Sequence, residues 1–542
     1  MLAHVQSSAV LGIDAYQVHV EADVSNGIPS MTVVGLPDAA VNESKERVRA
    51  AIKNSGFMFP YDKKITINLA PADVRKAGPS FDLPIAIGIL VATGQLPGEG
   101  LENALLVGEL SLDGNVRPIT GALPVAIGAR ERGQRNIYVP AGNAREAAVV
   151  SDINVYPVAS LREMARALSF PESLKPAPHD PSILKNDSFH SIYDFADVKG
   201  HSNVKRALEV AAAGGHNILL LGPPGSGKTM MARRIPSILP PMSVDEALEA
   251  TKLYSVAGLL TAENSLINTR PFRSPHHTVS TAALVGGGSV PRPGEVSLAH
   301  HGILFLDELP EFARDALEVL RQPLEDGVVN VARVSASYTY PADFCLVAAL
   351  NPCPCGYYGD QFRACTCNPS AVARYQKRIS GPLLDRIDLH IEVPRLSEEE
   401  LLQSSLGENS ASIRARVCKA RERQAERFAL PLSPPAYSVE GEEPPHPADA
   451  DLATAKRPKA MRPLFCNAQM GPRALRAYCT PSEEVKSLLR AAIQNLGLSA
   501  RSYDRLLKVA RTVAVLEGAD KILVSHVVEA IQYRSLDRKL VG

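Results

Sequence analysis

Residues 218–229 read Ile-Leu-Leu-Leu-Gly-Pro-Pro-Gly-Ser-Gly-Lys-Thr. The first four side chains are aliphatic, a run that is too short for a helical core and typical of a buried parallel strand. Gly222, Gly225 and Gly227 lack a Cβ, so the backbone after this strand can point its N–H groups at phosphate oxygens. Residues 230–234 then begin a helix. This order of strand, loop and helix carries the G-x-x-x-x-G-K-[ST] pattern and predicts a nucleoside triphosphate site.

The predicted phosphate loop contains the other groups that a bound triphosphate needs. Lys228 is expected to contact the β- and γ-phosphates, and the Thr229 hydroxyl to ligate Mg²⁺. The N-terminal end of the following helix adds positive potential. An ordinary Gly/Pro loop is the alternative interpretation. The predicted ATP-binding residues are Gly222, Pro223, Pro224, Gly225, Ser226, Gly227, Lys228 and Thr229.

Length and composition indicate a globular protein of several domains. The chain has 542 residues, too many for one hydrophobic core, and is 45% hydrophobic and 21% charged. Lys+Arg and Asp+Glu both count 58, so the chain has no overall basic field. Nucleic-acid binding would therefore require a local patch, or a ring of subunits that concentrates a few cations.

The sequence carries no pattern typical of secretion or of a membrane span. His4, Asp14 and Glu21 interrupt any apolar core near the N-terminus, and the longest apolar run, residues 85–92, is far too short to cross a bilayer. Eight cysteines without a secretory segment favour a reducing compartment. We expect a cytoplasmic protein with no membrane partner.

Residues 302–308, Gly-Ile-Leu-Phe-Leu-Asp-Glu, predict a second apolar strand, which ends in two carboxylates. Asp307 is expected to hold Mg²⁺ through water, and Glu308 to orient and polarise the water that attacks the γ-phosphate. A strand that simply ends in a surface Asp-Glu pair is the alternative. The phosphate loop upstream, at a domain-sized separation, favours the catalytic interpretation.

The N-terminal residues predict one α+β domain that resembles a known protease domain. Residues 76–84, Lys-Ala-Gly-Pro-Ser-Phe-Asp-Leu-Pro, and residues 107–119 resemble the proteolytic domain of Lon protease and a related non-proteolytic domain on some recombination ATPases. The resemblance implies a ribosomal S5 domain 2-like fold. Ser80 matches the Lon nucleophile, but the next lysine is Lys175 and Leu123-Pro124 stand near the activating lysine's position. Because an unactivated serine is a poor nucleophile, we expect no protease activity.

Two segments resemble motifs of AAA+ ATPases of the magnesium-chelatase type. Residues 344–351 predict a third buried strand that ends in Asn351, and the resemblance implies that this amide senses the γ-phosphate. Residues 380–389, Ser-Gly-Pro-Leu-Leu-Asp-Arg-Ile-Asp-Leu, match the motif that carries the arginine finger. Arg386 would then act on the ATP of a neighbouring subunit, which implies a ring. The alternative is a surface ion pair with Asp385 or Asp388.

A third resemblance to the same ATPases lies near the C-terminus. Residues 498–508 predict the opening of a helix, and the resemblance places the second sensor arginine at Arg501, with Arg505, one turn further on, as the alternative.

Long segments around these motifs are specific enough to indicate a family. They are Arg270-Pro-Phe-Arg-Ser-Pro-His-His-Thr278, Val285-Gly-Gly-Gly288, Pro293-Gly-Glu-Val-Ser-Leu-Ala-His-His-Gly302 and Asn351-Pro-Cys-Pro-Cys-Gly356. Over nearly its whole length the chain resembles the magnesium-chelatase-like YifB/ComM family of bacterial AAA+ proteins. The resemblance implies an α/β multidomain chain: a Lon-protease-like domain, a P-loop AAA+ domain and a C-terminal helical lid.

The predicted boundaries and partners follow from that resemblance. It implies a homo-hexameric helicase that drives branch migration of branched or forked DNA during recombination in natural transformation, alongside other recombination proteins. The predicted boundaries are residues 1–170 for the Lon-like domain, 171–191 for a Pro-containing linker, 192–394 for the AAA+ core and 395–542 for the lid, with a Pro-rich insertion at 431–463.

A hairpin is predicted before the third ATPase strand. Residues 330–340 read as two β-runs around Ser335-Ala-Ser337, so Arg333 would lie near the tip. In a ring, Arg333 of each subunit could line a pore and contact DNA phosphates. Tyr338 and Tyr340 could stack on bases, although alternating tyrosines on a strand also fit half-buried packing.

Four of the eight cysteines lie close together in the sequence. Cys353, Cys355, Cys365 and Cys367 could supply four thiolates to a structural Zn²⁺ site, although C-x-C pairs are tighter than the usual C-x₂₋₄-C. Reduced thiols on an exposed loop are the alternative. The pairs His276-His277 and His300-His301 lack the i, i+4 spacing of helical ligands, and we expect them to pack or to form turns.

Other functions remain open at this point. A metal-chelatase subunit would use the same ATPase, but its integrin-like partner domain carries a D-x-S-x-S string that this chain lacks. An ATP-dependent protease is disfavoured by the missing lysine after Ser80. A chelatase-type ATPase that remodels a protein remains an alternative to a DNA motor.

Overall fold

The structure is a computed structural model that divides into two compact units. The described residues are 1–72, 76, 78–179, 193–261, 264–288, 291–332, 337–397, 400, 407–429, 464–496 and 499–536. Met1–Asn186 and Val244–Asn268 form the first unit, and Asp187–Ser243 and Thr269–Gly542 form the second. No sequence pattern indicated that Val244–Asn268 packs with the N-terminal residues. The mixed α/β, multidomain prediction is confirmed.

Strands and helices are interspersed up to residue 392, and the described residues beyond it form helices and connecting segments. The strands are β1 (Leu2–Leu11), β2 (Asp14–Ser25), β3 (Ser30–Val34), β4 (Lys64–Ala70), β5 (Ala104–Leu106), β6 (Glu109–Leu110), β7 (Val116–Arg117), β8 (Asn136–Pro140), β9 (Asn154–Val158), β10 (Ile218–Leu221), β11 (Phe272–Arg273), β12 (Gly286–Gly287), β13 (Arg292–Pro293), β14 (Ile303–Leu306), β15 (Val328–Ala332), β16 (Ser337–Pro341), β17 (Cys345–Leu350) and β18 (Leu389–Glu392). The α-helices are α1 (Ala39–Asn54), α2 (Asp82–Ala92), α3 (Ala122–Glu131), α4 (Ala144–Ala147), α5 (Leu161–Ser169), α6 (Ser202–Gly214), α7 (Lys228–Ala232), α8 (Val244–Ala257), α9 (Thr281–Val285), α10 (Glu295–Leu298), α11 (Arg314–Glu318), α12 (Arg321–Asp326), α13 (Pro369–Gln376), α14 (Gly381–Leu384), α15 (Ser410–Ala429), α16 (Pro472–Tyr478), α17 (Glu483–Leu496), α18 (Ala500–Leu516) and α19 (Val524–Gln532).

The first unit is built on a seven-stranded mixed sheet. Its strand order is β3-β4-β2-β1-β5-β8-β9, with β1 antiparallel to β2 and parallel to β5. In β2 every second side chain from Val18 to Val24 is buried, as a sheet with one covered face requires. Helix α2 is buried along its whole length and packs against β1 and β2. Ser80 lies in the 3₁₀ turn Pro79–Phe81 just before α2. The resemblance of this unit to Lon stays a prediction.

Helix α8 joins the first unit through a buried polar contact. The Glu146 carboxylate accepts hydrogen bonds from the backbone N–H of Leu123 (2.9 Å) and from the Ser255 hydroxyl on α8. The backbone N–H of Gly121 donates to the Ser255 carbonyl at 3.2 Å. Burial raises the pKa of Glu146, while these hydrogen bonds act in the opposite direction. A helix from the middle of the chain therefore completes the surface formed by α3 and α4.

The second unit is built on a five-stranded parallel sheet. Its order is β11-β14-β17-β10-β18, and every neighbouring pair is parallel. All four residues of β10 and of β14 are buried, which fits strands covered on both faces. The three strands predicted to end in functional residues are thus confirmed. Residues 410–429 and 472–532 contribute the helices α15 to α19.

Several predicted segments fall partly or wholly outside the described residues. The predicted hairpin is confirmed as β15 paired antiparallel with β16, Ala332 facing Ser337, but Arg333, which was predicted to lie near its tip, is outside the described residues. The Pro-rich insertion at 431–463 lies outside them too, and the linker is described only to residue 179. Tyr340 is fully buried and donates to the Pro291 carbonyl at 2.9 Å, so it packs rather than stacking on bases. Across the described helices, none is long and apolar enough to cross a membrane.

Candidate active site

The candidate site lies at one edge of the parallel sheet in the second unit. Gly222 follows β10, Asp307 follows β14 and Asn351 follows β17, and these strands are neighbours in the order β14-β17-β10. Because the carboxyl ends of parallel strands meet at the same edge, the three loops converge there. Lys228, Asp307 and Asn351, which were predicted from three different sequence motifs, therefore lie in one cluster.

Lys228 is held at the centre of this cluster. Its Nζ donates to the carbonyls of Gly222 (2.7 Å) and Pro223 (2.8 Å) and to Oδ1 of Asn351 (3.2 Å). Burial lowers the pKa of Lys228 to about 8, although the charges of Asp307 and Glu308 act to raise it. The predicted phosphate-binding lysine and sensor amide are therefore in direct contact.

The loop before Lys228 has the backbone and the polar groups of a phosphate cradle. Gly225 and Gly227 have φ values of 77° and 86°, which L side chains rarely adopt, so glycine is required at both positions. The Ser226 hydroxyl oxygen is buried and has no hydrogen-bond partner within the described part of the chain. A buried polar atom without a partner costs free energy unless a ligand satisfies it. The loop therefore fits a triphosphate.

Thr229 and Asp307 meet as a pair of oxygen donors. The Thr229 hydroxyl donates to Oδ2 of Asp307 at 2.6 Å, and the backbone N–H of Glu308 donates to Oδ1 of the same carboxylate at 2.9 Å. Hydroxyl, carboxylate and water oxygens are the ligands that Mg²⁺ prefers. The donor set therefore fits the predicted Mg²⁺ site.

Glu308 adopts a strained backbone conformation beside a histidine. Its φ is 51° and its ψ 46°, a left-handed conformation that is uncommon for non-glycine residues and concentrates at functional sites. The His277 Nδ1 lies 3.7 Å from Oε2 of Glu308. His277 packs against the rings of His276 (centroids 4.1 Å apart) and Phe312 (6.4 Å), so the predicted packing role is confirmed, and the same side chain also lies at the candidate site. The His276 side chain holds a turn through Thr278 (2.9 Å), whereas Nδ1 of His300 accepts from the backbone N–H of Asp343, 43 positions away (3.0 Å), and so joins two distant segments.

Arg386 is not the surface arginine of the alternative interpretation. Its side chain is 4% exposed, and it donates to the Glu325 carboxylate and to the Pro382 carbonyl (2.6 Å). The Asn217 amide, next to β10, donates to the Arg386 carbonyl at 3.1 Å. The ion-pair partner is thus Glu325, which lies 61 positions away in the sequence. No periodicity or motif links the two.

The two candidate sensor arginines on α18 have different surroundings. Arg505 forms an ion pair with Asp388, Nη1 to Oδ1 at 2.8 Å, with side chains 17% and 7% exposed. Arg501 is 62% exposed, and its Nη2 lies 3.7 Å from Oε1 of Glu325. His216 also contacts Asp388, Nδ1 to Oδ2 at 3.4 Å, and is fully buried. Arg505 is therefore committed to the interior, while Arg501 can reach a ligand.

The four clustered cysteines converge on one point. The sulfurs of Cys353 and Cys355 lie 3.3 Å apart, and that of Cys365 lies 3.7 Å and 3.6 Å from them. All four sulfurs, that of Cys367 included, lie within 4.8 Å of one another. Sulfurs bound to Zn²⁺ at about 2.3 Å in a tetrahedron would be about 3.8 Å apart. The set therefore fits a Zn²⁺ ion, and the C-x-C spacing does not prevent convergence.

The cysteine loop lies against the phosphate loop. Gly356 has a φ of 86°, and a Cβ built there would lie 2.4 Å from Cδ of Pro224. Arg395 forms an ion pair with Asp360 at 3.5 Å, and its guanidinium lies 5.2 Å from the Tyr357 ring centroid. Only a glycine allows this approach, so the position of the cysteine loop bears directly on the phosphate loop.

Three protein-family models for the ChlI subunit of magnesium chelatase match separate parts of the chain. Residues 194–401 match "Magnesium chelatase, subunit ChlI", residues 20–143 match "Subunit ChlI of Mg-chelatase" and residues 407–534 match "Magnesium chelatase, subunit ChlI C-terminal". The magnesium-chelatase 67 kDa subunit of Chlorobaculum parvum is 30% identical over 162 residues, which cover 29% of this chain and 23% of that protein.

Two relatives match over almost their full length. A protein named YifB of Salmonella typhimurium is 43% identical over 542 residues, which cover 100% of this chain and 98% of the relative. Competence protein ComM of Haemophilus influenzae is 42% identical over 547 residues, with 99% and 98% covered. This chain belongs to the YifB/ComM family. Like the YifB/ComM family as a whole, it contains an AAA+ ATPase core of the magnesium-chelatase type, and the family prediction is confirmed.

Proposed function

We propose that this protein is an ATP-driven DNA motor that hydrolyses ATP at the interfaces of a ring of six copies. The observation that carries the proposal is the contact network of the predicted active-site residues at one sheet edge: Lys228 with Asn351, and Thr229 with Asp307. Such convergence of a cation, an amide and oxygen donors beside a glycine loop is what phosphoryl transfer requires.

Each residue of the candidate site would have a different role in ATP hydrolysis. Lys228 would leave the carbonyls of its own loop and neutralise charge on the β- and γ-phosphates. Glu308, in its left-handed conformation, would orient the attacking water and accept its proton, and His277 lies 3.7 Å from its carboxylate. Asn351 would donate a hydrogen bond to that water or to the γ-phosphate. Thr229 and Asp307 would hold Mg²⁺, which when bound neutralises phosphate oxygens.

Arg386 and Arg501 would act on the ATP of a neighbouring copy. An arginine placed at the transferred phosphate raises the rate by about 10³–10⁵-fold where it has been measured. The Arg386 guanidinium donates to Glu325 and Pro382, whereas Lys228 of the same chain contacts a different set of residues. The Arg386 guanidinium therefore donates to none of the residues that hold Lys228, and we propose that it acts instead at the ATP site of a neighbouring copy.

The proposed nucleic-acid partner is branched or forked DNA. The relative named competence protein ComM supports a role in natural transformation and recombination, together with other recombination proteins. The hairpin of β15 and β16 would carry Arg333 into the central pore of the ring. A chain whose net charge is zero can still bind DNA if a few cations are concentrated in one channel.

We further propose that Cys353, Cys355, Cys365 and Cys367 hold a structural Zn²⁺. The pKa of the Cys355 thiol is lowered because backbone N–H groups of Tyr357 and Thr366 donate to its sulfur, which favours the thiolate form that binds metal. The ion would fix the loop beside Asn351 and would take no part in hydrolysis. The alternative is four reduced thiols.

A second candidate function is remodelling of a protein or of a metal-insertion complex. It is favoured by the identity to the magnesium-chelatase 67 kDa subunit, which covers 29% of this chain. We do not propose protease activity, because Ser80 has no lysine after it until Lys175 in the sequence.

The test compares ATP hydrolysis by the purified full chain with different stimulators. We expect a four-way DNA junction to stimulate turnover more than linear duplex, unfolded protein or a porphyrin, with Lys228→Ala as the inactive control. Stimulation by protein or porphyrin alone would favour the second candidate.

A second experiment tests whether two copies share the site. A mixture of Arg386→Ala and Glu308→Gln chains should regain activity, because each supplies what the other lacks. A monomer that hydrolyses ATP at full rate would contradict the shared site.

A further inference from the structure

Glu325 is a residue that no sequence motif singles out. It lies on α12, and its Oε1 accepts a hydrogen bond from Nη2 of Arg386 and lies 3.7 Å from Nη2 of Arg501. The two arginines come from distant parts of the chain, one after α14 and one in the first turn of α18. One carboxylate oxygen therefore joins both arginines that are expected to act on ATP.

Arg386 depends on this carboxylate for its position. Its guanidinium donates to Glu325 and to the Pro382 carbonyl, and its Nε is buried without a hydrogen-bond partner among the described residues. A buried cation that loses its counter-ion carries a large desolvation cost. Without Glu325, the Arg386 side chain would be driven to another rotamer. The observed rotamer of Arg386 therefore depends on the carboxylate of Glu325, whose side chain is 40% exposed.

The cluster of Glu325, Arg386 and Arg501 has a net positive charge and can therefore bind an anion. One carboxylate faces two guanidiniums, so the three side chains together are cationic. Arg501 is the more exposed arginine and lies at a distance that leaves most of its donors available. Phosphate oxygens form strong charge-assisted hydrogen bonds with such forks. A triphosphate brought to this surface would first meet Arg501, which is 62% exposed, and Arg386 lies buried behind the same carboxylate, so that it can follow once its bond to Glu325 is exchanged for one to phosphate.

We propose that Glu325 is a positioning residue that holds Arg386 and Arg501 as one pair and presents them together to the triphosphate bound by a neighbouring copy. The inference rests on the proposed function, because it requires an ATP site that two copies share. Glu325 does not touch the nucleotide. It lowers the entropic cost of placing two long side chains at the transferred phosphate.

The test measures steady-state ATP hydrolysis by the full chain under DNA stimulation. Glu325→Ala should lower kcat between about tenfold and a hundredfold, the size expected when a catalytic group is misplaced by about 1 Å. The KM for ATP should stay unchanged, because Lys228 and its loop are untouched. Glu325→Gln keeps an acceptor oxygen and should restore most of the rate. In an Arg386→Ala background, Glu325→Ala should lower kcat by a smaller factor than in the wild type, because only Arg501 then remains to be positioned.

Two controls separate positioning from loss of fold. Glu408→Ala removes a carboxylate of similar exposure (44%) that accepts from Nη2 of Arg416 at 2.9 Å, and should leave kcat unchanged. Glu325→Ala chains mixed with Glu308→Gln chains should regain activity, because each Glu308→Gln chain offers an intact arginine pair to a site with an intact Glu308. A misfolded chain would not be rescued in this way.

The outcomes distinguish this inference from the proposed function. If Arg386→Ala leaves hydrolysis unchanged, the shared-site function itself is wrong. If Arg386→Ala abolishes hydrolysis while Glu325→Ala matches the wild type, only the positioning role is overturned. A rise in kcat for Glu325→Ala would also overturn it, since Glu325 would then restrain the arginines instead of presenting them.

Discussion

Arg501 and Arg505 lie one helical turn apart on α18, and the structure predicts opposite consequences for their removal. Arg505→Ala should destabilise the protein, because it leaves the Asp388 carboxylate buried without its cation. Burial alone would raise the pKa of Asp388, but the charge of Arg505, together with His216, lowers it below its ordinary range. The carboxylate is therefore ionised in the native state. Breaking a buried ion pair of this kind costs about 3–5 kcal/mol.

Arg501→Ala should leave stability almost unchanged. The side chain is 62% exposed and 3.7 Å from Glu325, and exposed pairs contribute roughly 0–1 kcal/mol. Its loss should instead lower kcat for ATP hydrolysis by about 10²-fold or more, as removal of one group that stabilises transition-state charge does. The two variants thus separate a structural arginine from a functional one on the same helix.

The assay is urea unfolding followed by circular dichroism, in parallel with ATP hydrolysis at a temperature where both variants are folded. Lys486→Ala is a matched control for Arg505→Ala, since it breaks a helical ion pair whose side chains are 43% and 81% exposed. Asp388→Asn should lose much less stability in the Arg505→Ala background than in the wild type. The reasoning is refuted if Arg505→Ala unfolds like the wild type and is inactive while Arg501→Ala is fully active.

Three further predictions concern the phosphate loop and its neighbour. Because burial lowers the pKa of Lys228 to about 8, the KM for ATP should rise as the pH passes through about 8 and the amine loses its charge; a KM that stays flat to about pH 9 would contradict this. Gly356→Ala should weaken binding of a slowly hydrolysed ATP analogue in calorimetry, because its Cβ would lie 2.4 Å from Pro224, whereas Gly359→Ala, with a similar φ and open space, should bind normally. A strong chelator should release one Zn²⁺ per chain, detected with a chromogenic dye, and Cys365→Ser should lower the zinc content while Cys418→Ser should not; equal zinc in both variants would rule out the site.

The elements of the ATPase edge could be predicted because local sequence decides them. Short aliphatic runs followed by glycine or by carboxylates have few alternatives to buried parallel strands. Once strands are parallel, their carboxyl ends share an edge, so Lys228, Asp307 and Asn351 must come together. The family resemblance supplied the roles of Arg386 and Arg501, which no periodicity could give. The spacing of the four cysteines predicted them as a set, with a tetrahedral Zn²⁺ site and reduced thiols on an exposed loop as the two alternatives, and the structure shows that their sulfurs converge.

The remaining features depend on contacts between residues that are far apart in the chain. His277 follows β11, a two-residue strand parallel to β14 that no sequence pattern had predicted, so its place beside Glu308 at the same sheet edge could not be foreseen. Glu325 carries no motif, and its importance is visible only from the two arginines it contacts. The left-handed backbone of Glu308 is likewise set by tertiary packing. At these positions tertiary contacts, and not the local sequence, determine the conformation and the role of the residue.

Helix α8 illustrates the same limit at the level of domains. Its residues follow the phosphate-loop helix α7 in sequence, so continuity alone assigns them to the ATPase core. Instead Ser255 on α8 donates to the buried Glu146, and its carbonyl accepts from Gly121. Glu146 also accepts from the Leu123 N–H (2.9 Å) and from Nδ2 of Asn143 (3.2 Å), and Ser255 adds a third donor that offsets part of the cost of burying this carboxylate. The chain therefore leaves the second unit after Ser243, contributes Val244–Asn268 to the first unit and returns to the second at Thr269.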